Sequence, residues 1–462
     1  MRGTFRRAAA TAAAIALVGA GSAGAAGFTA GTSGLGDPIY PLAGNGGYDV
    51  GDYVLTLGYD PSSRNLTGHA VLTATATQDL SRFDLDLRGF TISALTVNGR
   101  PATFTHDGQE LVVTPAQGVK SGGPLNVVVD YAGVPAVVTD PDNSIEGWVP
   151  TSDGAFVVNE PQGSPGWYPA NDNPRDKATF TITTTVPAGL EVVGNGLLVN
   201  KTSSGGRTTF SWRESRPMAP YLATATLGRF TVTQGRTPGG VPTYIAVDPK
   251  FLSSSKAELA KLPAMVDYYS SVFGPYPFEN VGAIVDDAPD VGYSLESQTK
   301  PNFAYSPDEA TVAHELSHQW FGDAVTLRSW NDIWLHEGFA TFAEWLWREH
   351  TGQKPVAQKF KELYSTRASD TRFWNPPPGN PGDAAHLFDG TIYDRGGMTL
   401  EALREKIGEA RFFKLLRDWY AQHRYGTIDT PGFVALASQE SGQDLSHFFD
   451  VWLYQPGKPT SW

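Results

Sequence analysis

Two hydrophobic periodicities divide the chain. Between residues 48 and 240, short segments alternate apolar and polar positions, as in 53–57 (YVLTL) and 179–186 (TFTITTTV), and Gly, Asn, Asp and Pro separate them. A period of two is typical of β-strands that bury one face. The pattern therefore predicts a β-sandwich-like or saddle-like domain over residues 48–240.

Beyond residue 241 the apolar positions follow the spacing of α-helices. This spacing is found over 256–273, 397–407 and 410–423, and on both sides of a histidine motif near residue 316. We therefore expect an α+β protein in which a mainly helical domain, 241–462, follows the β-rich one.

The first residues have a different composition. Three arginines within the first seven residues precede an alanine-rich apolar run over 8–18, and the triplet 23–25 (AGA) fits a small-residue cleavage site. This order is typical of a secretory signal peptide, so we expect residues 1–26 to be removed and the protein to be secreted. A membrane anchor is the alternative, but the run is shorter than the roughly 18 residues of a membrane span.

Composition and charge further limit the partners and the kinds of site that the chain can have. Residues 27–47 are rich in Gly, Pro and Ala and are interpreted as a flexible lead-in. The formal net charge of −13 becomes more negative without the arginines of the signal peptide, which excludes a basic nucleic-acid footprint. We expect neither nucleic acid nor, after cleavage, a membrane as partner. Because the chain has no cysteine, disulfides and thiolate zinc sites are excluded.

The chemistry is concentrated in one motif, H-E-x-x-H, formed by His314, Glu315 and His318. Two histidines four residues apart lie on one face of a helix, so both imidazoles can reach one ion. Glu337 follows nineteen residues after His318. Two histidines and one glutamate leave a fourth position for water, as in catalytic zinc sites. We predict one Zn²⁺ held by His314, His318 and Glu337, with Glu315 as general base.

The flanking sequence places the motif on helices. Residues 306–309 (SPDE) combine a capping box with proline at the first helical position, and predict a helix that ends near Gly322. His336 adjoins Glu337 but faces about 100° away around the helix, so it is not counted as a ligand.

The blocks 314–323 (HELSHQWFGD) and 330–340 (WNDIWLHEGFA) closely resemble the aminopeptidase N family of zinc metallopeptidases. Residues 167–174 (WYPANDNP) resemble a conserved turn of its amino-terminal domain, and 444–452 (DLSHFFDVW) the end of its catalytic domain. The resemblance implies a thermolysin-like catalytic domain of the gluzincin type that acts on peptides with a free amino terminus. Since the printed chain ends soon afterwards, we expect a short, secreted, bacterial-type member without the carboxy-terminal helical domain of many relatives.

The resemblance also assigns residues outside the zinc motif. Leu295 and Glu296 look like part of the exopeptidase motif Gly-x-Met-Glu-Asn, with Tyr293 at the glycine and Ser297 at the asparagine. It implies that Glu296 binds the substrate α-ammonium. It also implies that Tyr393, in the run YDRG, donates to the oxyanion of the tetrahedral intermediate.

Two further carboxylates are weaker candidates. Glu160 lies at the spacing before Pro169 at which the family places a substrate-binding residue, with Gln162 as the alternative. Glu344 follows Glu337 by seven residues on the same helical face. It is expected either to orient a ligand histidine or to form a salt bridge.

The predicted function is zinc-dependent removal of amino-terminal residues, in which Glu315 accepts a proton from a water activated by the metal. Three alternatives stay open: a thermolysin-like endopeptidase, a hydrolase of another amide or an epoxide, and a zinc-binding interaction protein without turnover. An endopeptidase would not need Glu296 near the first subsite, so cleavage of blocked peptides distinguishes it.

Overall fold

The computed structural model describes residues 27–462, and the predicted signal peptide lies outside them. Within 27–462, no helix is both long and apolar enough to cross a membrane. The strands in chain order are β1 (Thr29–Ala30), β2 (Tyr48–Asp60), β3 (Asn65–Ala76), β4 (Leu80–Asp86), β5 (Thr91–Val97), β6 (Arg100–Pro101), β7 (Thr103–Asp107), β8 (Glu110–Thr114), β9 (Pro124–Gly133), β10 (Val137–Thr139), β11 (Ile145–Pro150), β12 (Ala155–Val158), β13 (Ala178–Pro187), β14 (Glu191–Gly194), β15 (Leu197–Ser204), β16 (Arg207–Met218), β17 (Ala225–Gly228), β18 (Thr231–Arg236), β19 (Pro242–Val247), β20 (Val281–Val285), β21 (Ser294–Leu295), β22 (Asn302–Phe303), β23 (Thr326–Leu327) and β24 (Thr427–Ile428). The α-helices are α1 (Leu252–Leu259), α2 (Leu262–Phe273), α3 (Glu309–Ser317), α4 (Trp334–His350), α5 (Val356–Thr366), α6 (Gly390–Ile407), α7 (Glu409–His423), α8 (Thr430–Ser441) and α9 (Ser446–Phe449). Short 3-10 turns lie at Ser164–Gly166, Pro220–Leu222, Pro249–Phe251, Trp330–Asp332 and Ala384–His386, and a π-helical turn at Asp450–Tyr454 follows α9.

Three sheets build the amino-terminal domain. The largest has the order β15-β16-β13-β2-β3-β9-β5-β6 and is antiparallel except for the parallel pair β13 and β2. The other two have the orders β1-β4-β8-β7 and β10-β11-β12-β17-β14. Along β13 every second side chain is buried, including Phe180 and Ile182, as the alternating sequence predicts. The predicted α+β class, with a β-rich domain first, is confirmed.

The catalytic-domain sheet has the order β18-β19-β20-β22-β21. Helices α1 and α2 connect β19 to β20, and the other helices follow β22 in the chain. Strand β18 pairs antiparallel with β19, so the predicted boundary at residues 240 and 241 falls inside the hairpin that joins them. At the other edge of this sheet, β21 leads directly into Glu296.

Helices α4 and α6 cross at two glycines. A Cβ atom on Gly338 would lie 2.8 Å from the Cα of Gly396, which is closer than a side chain permits. Because neither residue has a side chain, the two backbones can touch. The contact places Tyr393, near the start of α6, beside Glu337 at the start of α4.

Helix α3 begins later and ends earlier than its sequence predicts. The cap is Asp308, whose Oδ1 accepts a hydrogen bond from Thr311 N at 2.8 Å, and Ser306 Oγ instead contacts Ser255 Oγ at 3.0 Å. The helix ends at Ser317 rather than near Gly322. His318 retains right-handed helical dihedrals (φ −57°, ψ −23°), so the one-turn spacing from His314 is kept.

Residues 27–47, interpreted from sequence as a flexible lead-in, are packed across both domains instead. Strand β1 pairs in parallel with β4, and the side chains of Tyr40 and Ala43 are buried in the core. Asp37 is buried, and its carboxylate accepts hydrogen bonds from the backbone N of Tyr40 at 3.0 Å and of Trp330 at 2.9 Å. The composition was misleading because Gly and Pro content gives no sign of the contacts that hold the segment, which are backbone pairing, the buried Tyr40 ring and the Asp37 carboxylate.

Removal of the Asp37 carboxylate should destabilise the protein. We expect Asp37→Ala to lower the free energy of unfolding by about 2–4 kcal/mol, because the buried N–H of Trp330 loses its acceptor. Urea denaturation followed by tryptophan fluorescence measures the change. Thr32→Ala, which removes an exposed hydroxyl of the same segment, serves as the control. Equal stability of both variants would show that this segment does not fasten the domains.

Candidate active site

Three predicted metal ligands converge. The Oε2 atom of Glu337 lies 3.1 Å from His314 Nε2 and 3.6 Å from His318 Nε2. Zinc holds such atoms at about 2.0–2.1 Å, so the ligands of a tetrahedral site lie about 3.3 Å from one another. The three side chains therefore fit one zinc ion without rearrangement.

The orientation of His318 suits a metal ligand. Its Nδ1 lies 3.1 Å from the backbone oxygen of Phe321. Because a carbonyl oxygen only accepts, Nδ1 must donate, which leaves the lone pair of Nε2 directed at Glu337 and the metal position.

The charges around His318 favour a cation. Burial lowers the pKa of His318, but Glu337 and Glu296 outweigh it and raise that pKa to about 10. Burial alone would raise the pKa of Glu337, but His318 and His314 hold it well below its usual range. The pocket thus stabilises positive charge beside Glu337, which a divalent metal supplies.

A second group of possible ligands overlaps the first. Potential ligand atoms of Glu296, Glu315 and His318 also lie within 4.8 Å of one another. The two groups share only His318, so substitutions of the glutamates can distinguish them.

Glu315 is placed to exchange protons. Its side chain is buried, and burial raises its pKa to about 7 against the opposing effect of the two motif histidines. A carboxyl that titrates near neutrality can both take up and release a proton, as a general base requires.

A cavity of about 170 Å³ opens onto these residues, and both domains form its wall. The lining side chains are Asp142, Ser144 and Glu160 from the amino-terminal domain and Tyr293, Ser294, Glu296, His314, Glu315, His318, Glu337, Phe388 and Tyr393 from the catalytic domain. All six residues predicted for catalysis, metal binding and primary substrate recognition are therefore in one place, together with Glu160.

Glu296 and Glu160 are buried carboxylates within this wall. Glu296 Oε1 accepts a hydrogen bond from the hydroxyl of Tyr221 at 3.1 Å. Glu160 Oε1 is buried and has no hydrogen-bond partner among residues 27–462. Burial, and then the charge of Glu296, raise the pKa of Glu160 well above its usual range. A positively charged donor beside Glu160 would favour its ionised form and give this oxygen a partner.

The structure distinguishes between Glu160 and Gln162. The side chain of Gln162 donates to Asp140 Oδ1 at 2.7 Å and accepts from Arg88 at 2.9 Å. Gln162 does not line the cavity. Glu160 is thus the better placed of the two.

Tyr393 stands over the metal ligands. Its ring lies 5.9 Å from that of His314, with an interplanar angle of 25°. Burial raises the pKa of its phenol well above the usual value, so the hydroxyl stays protonated and can donate.

Glu344 and His336 lie at the edge of the site. Glu344 forms a salt bridge with Arg348 at 3.0 Å, the second of its two predicted roles, and across residues 27–462 it makes no hydrogen bond to a ligand histidine. His336 Nε2 accepts from Leu327 N at 2.8 Å. Burial lowers the pKa of His336 to about 3, so it stays neutral.

Sequence reasoning missed Tyr221, Gln319 and the wall residues Asp142, Ser144 and Phe388. Gln319 adjoins the zinc motif and has its side-chain amide against the backbone oxygen of Glu296, at 2.9 Å. Its position beside the motif is a signal that could have found it. The other four lie in regions whose local pattern carries no chemical signal.

Comparison with known proteins shows which family the chain resembles. Residues 48–222 match the peptidase M1 N-terminal domain, and residues 272–452 match the peptidase family M1 domain. An M1 zinc metallopeptidase from Deinococcus radiodurans is similar in structure, with a TM-score of 0.85, 30% identity, and coverage of 93% of this chain and 100% of that one. A mutant of this enzyme bound to a Tyr-Ser-Ala substrate has a TM-score of 0.84 and 30% identity, and covers 92% of this chain and 99% of its own.

Curated relatives are aminopeptidases. Glutamyl aminopeptidase from Bos taurus is 26% identical over 88% of this chain and 47% of its own length. Aminopeptidase M1-D from Oryza sativa subsp. japonica is 27% identical over 63% of this chain and 36% of its own. The chain thus spans about half the length, or less, of these curated relatives.

Zinc content should depend on Glu337 and not on Glu315. We expect about one zinc per chain in the unaltered protein and in Glu315→Gln, and loss of most of the metal in Glu337→Gln, because within residues 27–462 Glu337 is the one carboxylate at ligand distance from both histidines. Dialysis against a weak chelator and elemental analysis measure this. Zinc lost from Glu315→Gln but kept by Glu337→Gln would instead assign the metal to Glu296, Glu315 and His318.

Proposed function

The chain belongs to the peptidase M1 family, and on this premise we propose that it is a zinc-dependent aminopeptidase that removes amino-terminal residues from peptides. One observation carries the proposal. Two buried carboxylates, Glu160 and Glu296, line the same cavity as the three metal ligands and Glu315.

The carboxylate pair favours a substrate with a free α-ammonium. An ammonium group has three donors and one positive charge, which match the unpartnered Glu160 oxygen and the carboxylate of Glu296. A neutral peptide segment, as in an endopeptidase, would bring no positive charge to this pair, whereas an ammonium group would favour the ionised carboxylates that burial disfavours. The Deinococcus relative is described with a tripeptide substrate, the kind of ligand that we propose for this chain.

Glu315 performs the proton transfers in this proposal. When bound, Zn²⁺ would acidify a water at its open position and polarise the scissile carbonyl. Glu315 lines the cavity beside the ligands, accepts the proton of the attacking water, and passes it to the leaving amine. The side chains of His314, His318 and Glu337 would hold this ion.

Tyr393 stabilises the charge that develops on the carbonyl oxygen. Its protonated phenol lies in the cavity wall over His314 and is fixed there by the contact of Gly338 with Gly396. A donor that is already in place requires no reorganisation when the oxyanion forms.

The proposed function predicts strict dependence on a free amine. With zinc-loaded protein, aminoacyl-coumarin substrates should be hydrolysed and their N-acetylated counterparts should not, because acetylation removes the charge that offsets Glu160 and Glu296. Glu315→Gln should abolish the activity and retain zinc. Cleavage of the acetylated set would indicate an endopeptidase, and silence on both sets would refute the proposal.

Tyr393→Phe tests the oxyanion donor. We expect the variant to retain zinc and its KM, and to lose about 10²-fold in kcat, as is typical for the loss of one such donor. Steady-state kinetics on the best free-amine substrate measure the change. Tyr305→Phe, which alters an exposed tyrosine of the same domain, is the matched control. Near-normal turnover of Tyr393→Phe would remove Tyr393 from the mechanism.

A further inference from the structure

We propose that Tyr221 is a positioning residue that fixes the carboxylate of Glu296 for recognition of the substrate amine. The inference rests on the proposed aminopeptidase function and names a residue of the amino-terminal domain that controls its specificity.

Tyr221 meets Glu296 across the domain boundary. It lies in the turn Pro220–Leu222 of the amino-terminal domain, and its side chain is 1% exposed. Its hydroxyl is 3.1 Å from Glu296 Oε1 and makes no other hydrogen bond among the residues that the structure describes. Its ring packs edge-on against Trp330, with centroids 5.3 Å apart. The phenol therefore has one polar partner and little freedom to move away from it.

The backbone around Glu296 is fixed by other groups. Gln319 Nε2 donates to the Glu296 backbone oxygen at 2.9 Å, and Gln319 Oε1 accepts from Thr299 N at 2.7 Å. Gln319 directly follows the metal ligand His318, so this clamp ties the Glu296 segment to the metal site. These hydrogen bonds hold the backbone but leave the side-chain torsions of Glu296 unrestrained. The hydrogen bond from the Tyr221 hydroxyl restricts those torsions.

One asparagine sets the relative position of the two partners. Asn195 Nδ2 donates to Leu222 O at 2.9 Å and to Gln298 O at 2.8 Å, and its side chain is buried. Leu222 adjoins Tyr221, and Gln298 lies two residues after Glu296. The donor and the acceptor of the Tyr221 to Glu296 hydrogen bond are therefore held by the same side chain.

In this arrangement the two oxygens of the Glu296 carboxylate have different partners. A carboxylate only accepts, so the phenol donates to Oε1, and Oε2 is left for the substrate ammonium. Glu160 provides the second acceptor, since its Oε1 has no partner within residues 27–462. Without the phenol, the Glu296 side chain must be ordered by the substrate itself, which weakens binding.

The kinetic consequence is a change in KM rather than in kcat. The ammonium is bound both before and during the reaction, so weaker recognition affects the ground state and the transition state alike. For the loss of one hydrogen bond to a charged group we expect Tyr221→Phe to raise KM about tenfold for free-amine substrates, with kcat changed by less than about threefold. A purely structural role would lower the active fraction, and so the apparent kcat, without changing KM.

Two inhibitors test the inference directly with zinc-loaded protein. Leucine hydroxamate carries an α-amine, and 4-methylpentanoyl hydroxamate has the same chain without it. Tyr221→Phe should weaken the first about tenfold and leave the inhibition constant of the second unchanged. In a Glu296→Ala background, which removes the acceptor of the Tyr221 hydroxyl, the Tyr221→Phe change should have no further effect on either.

Tyr168→Phe is the matched control. Tyr168 is a fully buried tyrosine whose hydroxyl donates to Pro220 O at 3.2 Å, next to Tyr221, and within residues 27–462 it forms no hydrogen bond to Glu296. Its variant should leave KM and both inhibition constants unchanged.

The outcomes separate the two proposals. If the unaltered protein does not cleave free-amine substrates, the proposed function fails. If it does, but Tyr221→Phe keeps the original KM, or weakens both hydroxamates equally, only the positioning role of Tyr221 is overturned.

Discussion

Four glutamates, at positions 160, 296, 315 and 337, share the wall of one cavity of about 170 Å³, and no lysine or arginine of the described residues 27–462 lines it. Burial of several like charges is unfavourable unless cations compensate for them. Two histidines offset part of this charge, and a metal ion and a substrate ammonium would supply the rest. In the proposed function the ligand set, the general base and the amine-binding pair would form one electrostatic unit, in which each cation would stabilise the carboxylates that bind the other.

The scaffold must hold these carboxylates in place against their repulsion. Within the catalytic domain this is achieved by close packing, since the contact of Gly338 with Gly396 lets α4 and α6 approach near the metal site. Between the domains it is achieved by buried hydrogen bonds. Lys177 from the β-rich domain donates to Asp323 O at 2.7 Å and to Thr326 Oγ1 at 2.8 Å. Both acceptors lie shortly after α3, the helix that carries the zinc motif. A cavity whose wall comes from two domains has the right shape only when the domains keep this relative position.

The parts of the site that sequence could predict are those whose spacing is local. His314, Glu315 and His318 lie within one helical turn, and Glu337 lies in a second recognisable block, so their chemistry can be read before the fold is known. The β-rich and helical halves were predictable for the same reason, because periods of two and 3.6 are local properties.

Contacts between distant segments had no such signal. Tyr221 is separated from Glu296 by 75 positions, and Asp37 is separated from Trp330 by 293. The residues that flank each of these positions contain no pattern that predicts the contact. The lead-in was misjudged because Gly and Pro content describes the local chain and not the acceptors that the chain meets. The cap of α3 was misplaced by two residues because Ser306 and Asp308 both suit that role, and only the backbone decides between them.

The contrast between local motifs and contacts of distant segments has a functional consequence. In the proposed mechanism the metal ligands, the general base and the oxyanion donor all come from the catalytic domain, whereas selection of a free amino terminus uses Glu296 together with Glu160, Tyr221 and Asn195 of the other domain. In this proposal bond cleavage depends on helix packing around the metal site, and recognition of the chain end depends in addition on the fit between the domains. A change in that fit would alter which peptides are accepted while leaving the metal ligands and general base in place.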